Sequence, residues 1–363
     1  MLNKKTIIIA TFLCLLIVGG AFCDYCDQTP QSVKRTKKSS LEWMEKERVD
    51  DYLKRIHFNG TAVIVKDGKT ILNKGFGFSN VKTGSMNNPE TVYYIGSITK
   101  SFVSTAFMQL QEEGKVNIND RLSKYFPSFP YADDIKLYHL LTHTSGLPYR
   151  SETSRRMSKE ALLKKIEMDA RFLLFPPGTE WNYSDSNYTL LGLIIEKVSG
   201  ETLHQYIKDH IFQKAGMHHS GFGEDFRKEK HPSTGYFNTT FGFYKPAIPH
   251  FSQLLGCGDI YMTAYDLYKF DNALRTGKLV SKNSYQQINA PFKAYYGFGW
   301  YVNRDKYYSH GVMPGFEGMN GYSRDGRIYV VLLSNVQHTI PSFRKVNNQI
   351  FTRLENGSST MEK

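Results

Sequence analysis

Cysteine is scarce in this chain, with four occurrences in 363 residues. They are Cys14, Cys23, Cys26 and Cys257, and their positions show neither metal-ligand spacing nor a readable disulfide framework. Internal repeats and low-complexity tracts are also missing. The sequence therefore predicts no metal centre, no disulfide-stapled scaffold and no repeat architecture.

Charged residues are missing from one stretch near the N-terminus. Residues 6–23 contain no Lys, Arg, Asp or Glu, and Lys4 and Lys5 precede them. This pattern predicts that residues 1–23 form either a signal peptide or an N-terminal membrane anchor. Cleavage after the small residue Ala21 and retention as an anchor both stay open. An extracytoplasmic protein, membrane-associated or secreted, is expected in either case.

The composition of the whole chain is that of a globular protein. Hydrophobic residues make up 40% and aromatic residues 14%, so disorder is not the expectation. The formal net charge is +12 at pH 7. A basic surface favours an anionic partner such as nucleic acid, anionic lipid or an acidic polymer, beside a general role in solubility. For an exported protein the expected partner is an anionic envelope polymer, and no nucleic acid.

The order of predicted elements indicates an α+β fold over residues 41–357, after a polar basic linker at residues 24–40. Both chain ends contribute strands to one layer, and residues from about 117 to 249 insert as a mainly helical part. A β-hairpin is expected where Asp67-Gly68 joins two apolar runs. Helices are predicted over residues 41–56, 97–113, 186–198 and 342–354, and strands over 61–66, 70–74, 299–302, 318–322 and 328–334.

Ser97 and Lys100 form the most informative motif, Ser97-Ile-Thr-Lys100. Both residues share one face of the predicted helix that begins at Ser97. A lysine that is partly desolvated beside a serine can have its pKa lowered, so that it accepts the serine proton and makes the hydroxyl a nucleophile. The pattern also occurs at Ser79-Asn-Val-Lys82, which we interpret as a chance match because no apolar helix follows it.

A second candidate cluster, Tyr183-Ser-Asp185, precedes the helix predicted from residue 186. A tyrosine near a cationic lysine would have its phenolate stabilised, and it could then pass a proton between the serine and a leaving group. Asp185 could accept a hydrogen bond from Lys100 or orient the substrate. The structural alternative is that Tyr183 is a packed aromatic residue and Asp185 a helix N-cap.

A third candidate cluster contains His310, Gly311 and Val312. Small residues after a polar one let a strand edge approach a ligand closely. A backbone N–H in this segment could pair with that of Ser97 as an oxyanion hole. The alternative is a glycine-rich turn with a surface histidine.

In chain order, Ser97-x-x-Lys100, Tyr183-x-Asp185 and His310-Gly311 resemble the three motifs of the penicillin-recognising serine hydrolases, the β-lactamase and penicillin-binding-protein family. The tyrosine variant is that of class C β-lactamases, related DD-peptidases and esterases. The resemblance covers roughly residues 49–353. It implies a β-lactamase/transpeptidase-like fold, with an antiparallel sheet flanked by helices and an inserted mainly helical domain.

Two departures from the family pattern point to one branch. The family usually has Asn where this chain has Asp185, and its third motif usually begins with Lys or His. Two registers of the third motif are possible here. In one, Ser309 takes the first position, and the Val312 N–H completes the oxyanion hole. In the other, His310 takes the first position, and Val312 stands where the family has glycine. This combination resembles the branch of the staphylococcal teichoic acid D-alanine esterase.

The resemblance implies an active-site serine hydrolase that works through an acyl-enzyme without a metal or organic cofactor. Ser97, Lys100 and Tyr183 are the implied catalytic residues, with Asp185 and the third cluster on the substrate or oxyanion side. The implied substrate is a D-alanylated teichoic acid. A DD-carboxypeptidase acting on peptidoglycan peptides, or a β-lactamase, is the alternative enzyme. The alternative that is not an enzyme is a penicillin-binding sensor, which is acylated without turnover.

Overall fold

The computed structural model describes residues 44–340 and 342–359, with side chains up to residue 355. The chain divides into two compact units, residues 1–48 and residues 49–363. Residues 44–48, the described part of the first unit, are helical, and so are residues 49–55 of the second. The predicted leader at residues 1–23 and the predicted linker at residues 24–40 lie outside the described residues.

A six-stranded antiparallel sheet lies at the centre of the second unit. Its strands are Gly60–Lys66 (β1), Lys69–Phe76 (β2), Tyr301–Val302 (β10), Lys306–Met313 (β11), Phe316–Ser323 (β12) and Ile328–Ser334 (β13). They follow the order β10-β11-β12-β13-β1-β2, and Gly60 lies opposite Ser334 where the N-terminal hairpin meets the C-terminal strands. The prediction that both chain ends build one layer is confirmed.

Side chains of the sheet alternate between two hydrophobic cores, as the two-residue period of a strand requires. On β1, Ala62 and Ile64 pack into a cluster with residues of the helices at 49–55 and Phe343–Ser359. Val63 and Val65, on the opposite face, pack into the larger cluster that includes the helix carrying Lys100. The two faces of the sheet therefore have different partners.

Two helices matter for the site. The helix Thr99–Glu112, here called the serine helix, ends two residues before Gly114, which has φ of +70°. The helix Asp185–Ser199, here called the aspartate helix, ends at Gly200, which adopts the left-handed conformation that favours glycine. The other helices are Leu137–Leu141, Lys159–Asp169, Leu203–Ile207 with its continuation to Ala215, Ala264–Arg275 and Lys282–Ile288.

Helices predominate between residues 117 and 249, together with short strands. Ser220–Phe222 (β6) pairs with Ile260–Thr263 (β9), which also pairs with Val92–Tyr94 (β5). The remaining strands are Phe78–Asn80 (β3), Ser85–Met86 (β4), Tyr236–Thr239 (β7), Gly242–Tyr244 (β8) and Val336–Gln337 (β14). Within residues 44–340 and 342–359, no helix is long and apolar enough to cross a membrane.

Two local predictions differ from the structure, each at a glycine. The predicted helix start at Ser97 is a 3-10 turn, Gly96–Ile98, and the α-helix begins at Thr99. The strand predicted over 299–302 is reduced to Tyr301–Val302. Gly96 and Gly299 have φ of +51° and +79°, which no regular helix or strand accommodates.

Candidate active site

Ser97 lies on the 3-10 turn that leads into the serine helix. Lys100 lies one turn further on, with 1% of its side chain exposed. Its Nζ donates a hydrogen bond to Ser97 Oγ at 3.0 Å. The structure therefore brings the two residues of the first motif into direct contact.

The Lys100 ammonium has two more partners. It donates to the backbone carbonyl of Cys257 at 3.0 Å and forms an ion pair with Asp185 Oδ1 at 2.6 Å. Three acceptors match the three N–H donors of a charged lysine. Asp185 is the first residue of the aspartate helix, and Ser184 is the N-cap residue, so the interpretation of Asp185 as an N-cap is wrong.

The charge of Asp185 decides the protonation state of Lys100. Burial by itself lowers the pKa of Lys100, but the adjacent Asp185 carboxylate outweighs it, and the net effect raises the pKa above its usual range. The expected lowering of the Lys100 pKa is therefore wrong in direction. In the resting site Lys100 carries its proton.

Tyr183 faces the same lysine. The Lys100 Nζ lies 4.9 Å from the centre of the Tyr183 ring, and the Tyr183 hydroxyl interacts with both Lys100 and Ser97. Burial raises the pKa of Tyr183, and the opposing effect of Lys100 is smaller. The resting site therefore holds a neutral phenol, not the phenolate that the sequence led us to expect.

The third motif meets the Ser97 turn through two glycines. A Cβ on Gly311 would lie 1.9 Å from Ile95 O and 2.9 Å from Ser97 N. A Cβ on Gly96 would lie 2.4 Å from Val312 O and 2.8 Å from Val312 N. Strand β11 therefore approaches the Ser97 backbone more closely than any side chain allows. This geometry fits the register in which Ser309 comes first and Gly311 third.

The side chains of the third motif do not all face Ser97. Gly311 and Ser309 share one face of β11, and the buried Ser309 hydroxyl donates to Gly299 O at 3.2 Å. His310 lies on the opposite face, with Nε2 2.9 Å from Glu317 Oε1, and it does not line the cavity at Ser97. Val312 lines that cavity and is 47% exposed.

A cavity of about 590 Å³ opens beside Ser97. Its lining contains two carboxylates, Glu152 and Asp185, and among the described residues that line it there is no lysine or arginine. The other lining residues are Gly96, Ser97, Tyr149, Ser151, Phe237, Pro249, Leu254, Cys257, Gly258, Val312, Met313, Pro314, Gln337 and His338.

Three contributors to the site were missed by sequence reasoning. Cys257 supplies a backbone carbonyl to Lys100, and burial raises the pKa of its thiol to about 12. The buried His143 packs with its ring centre 4.3 Å from that of Tyr183, and its Nδ1 faces Ser184 N–H and Asn187. Glu152 lines the cavity from a polar loop. For each of the three, the only signal in the sequence is the residues next to it in the chain.

The sequence model of the β-lactamase family matches residues 46–354. The chain belongs to this family. A protein of Bacillus subtilis (strain 168) that is named as a penicillin-binding protein, PbpX, is 44% identical over 333 residues, which cover 90% of this chain and 84% of PbpX.

Two further relatives of this β-lactamase-family chain come from Staphylococcus aureus. A teichoic acid D-alanine hydrolase of strain MRSA252 is 30% identical over 309 residues, covering 84% of this chain and 75% of the relative. The crystal structure of FmtA superposes with a TM-score of 0.76 at 27% identity, covering 85% of this chain and 88% of FmtA. The predicted fold is confirmed, and the chain is a serine hydrolase of the β-lactamase and penicillin-binding-protein family.

Proposed function

We propose that this protein is an extracytoplasmic serine esterase that removes D-alanyl groups from teichoic acids. Support comes from the 30% identity to a teichoic acid D-alanine hydrolase. It also comes from the contact of Ser97 with Lys100 beside an open cavity. The roles of individual residues given below belong to this proposal.

The observation that carries the proposal is the charge of the cavity. Its lining combines Glu152 and Asp185 with no described lysine or arginine. Ser309, which stands first in the third motif, is buried and uncharged. β-Lactams and the D-Ala-D-Ala ends of peptidoglycan peptides both carry a free carboxylate near the bond that breaks, and no described lysine or arginine lines this cavity to bind it. A D-alanyl ester of a polymer carries no free carboxylate.

In the acylation step Ser97 attacks the carbonyl carbon of the D-alanyl ester. Lys100 passes one of its protons to Asp185 Oδ1, 2.6 Å away, and accepts the proton of Ser97 Oγ, 3.0 Å away. Lys100 therefore keeps its positive charge throughout, and Asp185 is the final proton acceptor. The backbone N–H groups of Ser97 and Val312 stabilise the oxyanion, since β11 and the Ser97 turn bring both to one place.

The tetrahedral intermediate collapses when the polymer alcohol leaves. Tyr183, as a neutral phenol, donates its proton to the leaving oxygen and regains one from the Lys100–Asp185 pair. Water then attacks the D-alanyl-Ser97 ester by the same proton transfers in reverse order. The products are D-alanine and the free alcohol, and Ser97 is restored.

The proposed location and partner follow from charge and from the N-terminus. The basic net charge of +12 suits a polyanionic teichoic acid. The uncharged run at residues 6–23 supports export, with membrane association through the N-terminus. We propose no nucleic-acid partner.

A second candidate is DD-carboxypeptidase or β-lactamase activity. It is favoured by the 44% identity to the protein named penicillin-binding protein PbpX. The acidic cavity opposes it, because both kinds of substrate would bring their carboxylate towards Glu152 and Asp185. We therefore rank it second.

The test measures D-alanine released from D-alanylated teichoic acid by the full-length protein, with hydrolysis of a chromogenic β-lactam followed in parallel. Ser97→Ala is expected to abolish release. Ser79→Ala is the matched control, because Ser79 stands in the other Ser-x-x-Lys pattern and its hydroxyl donates to Ser85 O on the β3–β4 hairpin. It should release D-alanine at the wild-type rate.

Other outcomes would contradict the proposal. Hydrolysis of the β-lactam or of a D-Ala-D-Ala peptide that depends on Ser97, without D-alanine release from teichoic acid, would select the second candidate. Acylation of Ser97 by the β-lactam without turnover of any substrate would select the penicillin-binding sensor.

A further inference from the structure

Glu152, in the wall of the cavity, has one carboxylate oxygen that is buried without a hydrogen-bond donor. Its side chain is 10% exposed, and its Oε1 atom is buried and accepts no hydrogen bond from the described residues. Arg150 Nη2 lies 3.5 Å from this oxygen but donates instead to Gln253 O at 2.9 Å. Burying a carboxylate oxygen without a hydrogen-bond donor costs free energy. A ligand that supplies a donor would therefore bind favourably at this oxygen.

The loop that carries Glu152 is held in place by the segment around Gln253. Thr153 N–H donates to Gln253 Oε1 at 3.2 Å, and Gln253 Nε2 donates to Thr153 Oγ1 at 3.0 Å. The fully buried Arg150 side chain anchors the other end of the loop through Gln253 O. Glu152 is therefore fixed at the cavity wall before any ligand arrives, which lowers the entropic cost of binding.

The charges around Glu152 call for a cation. Burial and the neighbouring Asp185 carboxylate raise the pKa of Glu152, and the smaller opposing effects of Arg150 and Lys100 do not cancel this rise. Lys100 is already committed to Asp185, Ser97 and Cys257, and no described lysine or arginine lines the cavity. A positively charged ligand group with N–H donors would relieve the repulsion and supply the missing hydrogen bond.

Ser97 lines the same cavity, and it attacks a carbonyl carbon. In an aminoacyl ester, the nitrogen is two bonds from that carbon. We infer that Glu152, together with Asp185, forms a subsite for the protonated α-amino group of the acyl donor. This inference rests on the proposed function and extends it. The enzyme would select aminoacyl esters with a free amine and disfavour donors in which the nitrogen is acylated, as in peptides.

The test compares two small esters that differ only at nitrogen, the p-nitrophenyl esters of D-alanine and of N-acetyl-D-alanine. Measurements at about pH 6.5 keep the free amine protonated. Wild-type protein is expected to have the larger kcat/KM for the free-amine ester. Glu152→Gln keeps the size and removes the charge, so the ratio of the two kcat/KM values should fall at least about 10-fold.

Glu160→Gln is the matched control, since Glu160 lies exposed in the first turn of the helix Lys159–Asp169. It should leave the ratio at the wild-type value. Thermal unfolding of each variant checks that the fold is intact. If Glu152 served only to pack against Arg150, Glu152→Gln would lower both kcat/KM values equally, and this result would overturn the subsite.

The subsite and the proposed function fail in different ways. If teichoic acid releases no D-alanine but the small esters show the Glu152-dependent preference, the polymer assignment is wrong and the subsite stands. If D-alanine is released but wild-type protein has no preference between the two esters, the esterase stands and the subsite is overturned. Hydrolysis of neither polymer nor small ester would overturn both.

Discussion

Among the residues that act on the pKa of Lys100, Asp185 has the largest effect. Its carboxylate lies 2.6 Å from Lys100 Nζ and keeps this buried lysine charged. We expect an asparagine in the same place to leave burial as the main influence on Lys100 and to lower its pKa. In the proposed mechanism, this exchange changes which group accepts the proton of Ser97.

Asp185→Asn is expected to lower the free energy of unfolding by about 2 kcal/mol near neutral pH, because the ammonium of Lys100 loses its charged partner. The difference in the free energy of unfolding between wild type and variant should become smaller as pH rises towards about 10. In the wild type, Lys100 is protonated in the folded and unfolded states below about pH 10.4, so the ion pair contributes throughout that range and is lost only above it. In the variant, the folded state releases a proton that the unfolded state keeps, and stability rises with pH.

Urea denaturation at several pH values measures this difference. Adding Lys100→Met to Asp185→Asn removes the titrating group, so the double variant should show no such rise relative to the wild type. A deficit that stays constant between neutral pH and about pH 10 would contradict the assignment of the effect to Lys100.

Between elements, the site depends on how closely β11 approaches the turn before the serine helix. Gly96 and Gly311 occupy the two sides of this contact. In the proposed mechanism, this approach lets the backbone N–H groups of Ser97 and Val312 act together as an oxyanion hole. The proposed mechanism therefore requires a close contact between two glycines, Gly96 and Gly311, that are 215 positions apart in the sequence.

Gly311→Ala tests this contact. The added methyl would lie 1.9 Å from Ile95 O, so β11 has to move away from the Ser97 turn. We expect kcat/KM to fall about 100-fold or more, with a loss of about 1–3 kcal/mol in stability from overpacking. Gly84→Ala is the control for a stability loss alone, because Gly84 has φ of +71° and open space around its Cα.

The Gly84 variant should lose about 1–2 kcal/mol from the strained backbone while its kcat/KM stays at the wild-type value. Activity on the p-nitrophenyl ester of D-alanine and thermal unfolding are measured on both variants. Wild-type activity in Gly311→Ala would show that the two backbone N–H groups do not act together.

On the scale of the whole molecule, the basic net charge of the chain contrasts with the carboxylates that line the cavity. The chain has a net charge of +12, whereas the described cavity lining contains Glu152 and Asp185 without lysine or arginine. In the proposed function, the basic chain attracts a polyphosphate polymer over many residues, and the cavity then receives the aminoacyl group attached to it. Attraction of the polymer and recognition of the acyl group would be separate steps.

The salt dependence of KM distinguishes attraction of the polymer from recognition of the acyl group. Raising the salt concentration from about 50 mM to about 500 mM screens long-range attraction, so KM for D-alanylated teichoic acid should rise several-fold. The p-nitrophenyl ester of N-acetyl-D-alanine is uncharged and serves as the control, whose KM should change little. An equal response of both substrates would contradict a role for the basic surface in binding the polymer.

The sequence by itself determined the features that are local in the chain. The hairpin around Asp67-Gly68, the helix that ends before Gly200 and the pairing of Ser97 with Lys100 depend on turn chemistry, helix termination and residue spacing, and the structure confirms all three. The order of three short motifs was enough to name the family and its fold, which the family match supports.

Tertiary structure alone decided the charges and the close contacts. The pKa of Lys100 is raised because folding brings Asp185, 85 positions later, to 2.6 Å, and local sequence carries no information on that distance. His310 points away from Ser97 because strand alternation places it on the face opposite Gly311. Glu152 faces the cavity because Gln253 fixes its loop. Electrostatics and packing in a site depend on distances between residues remote in the chain, and only the folded molecule sets those distances.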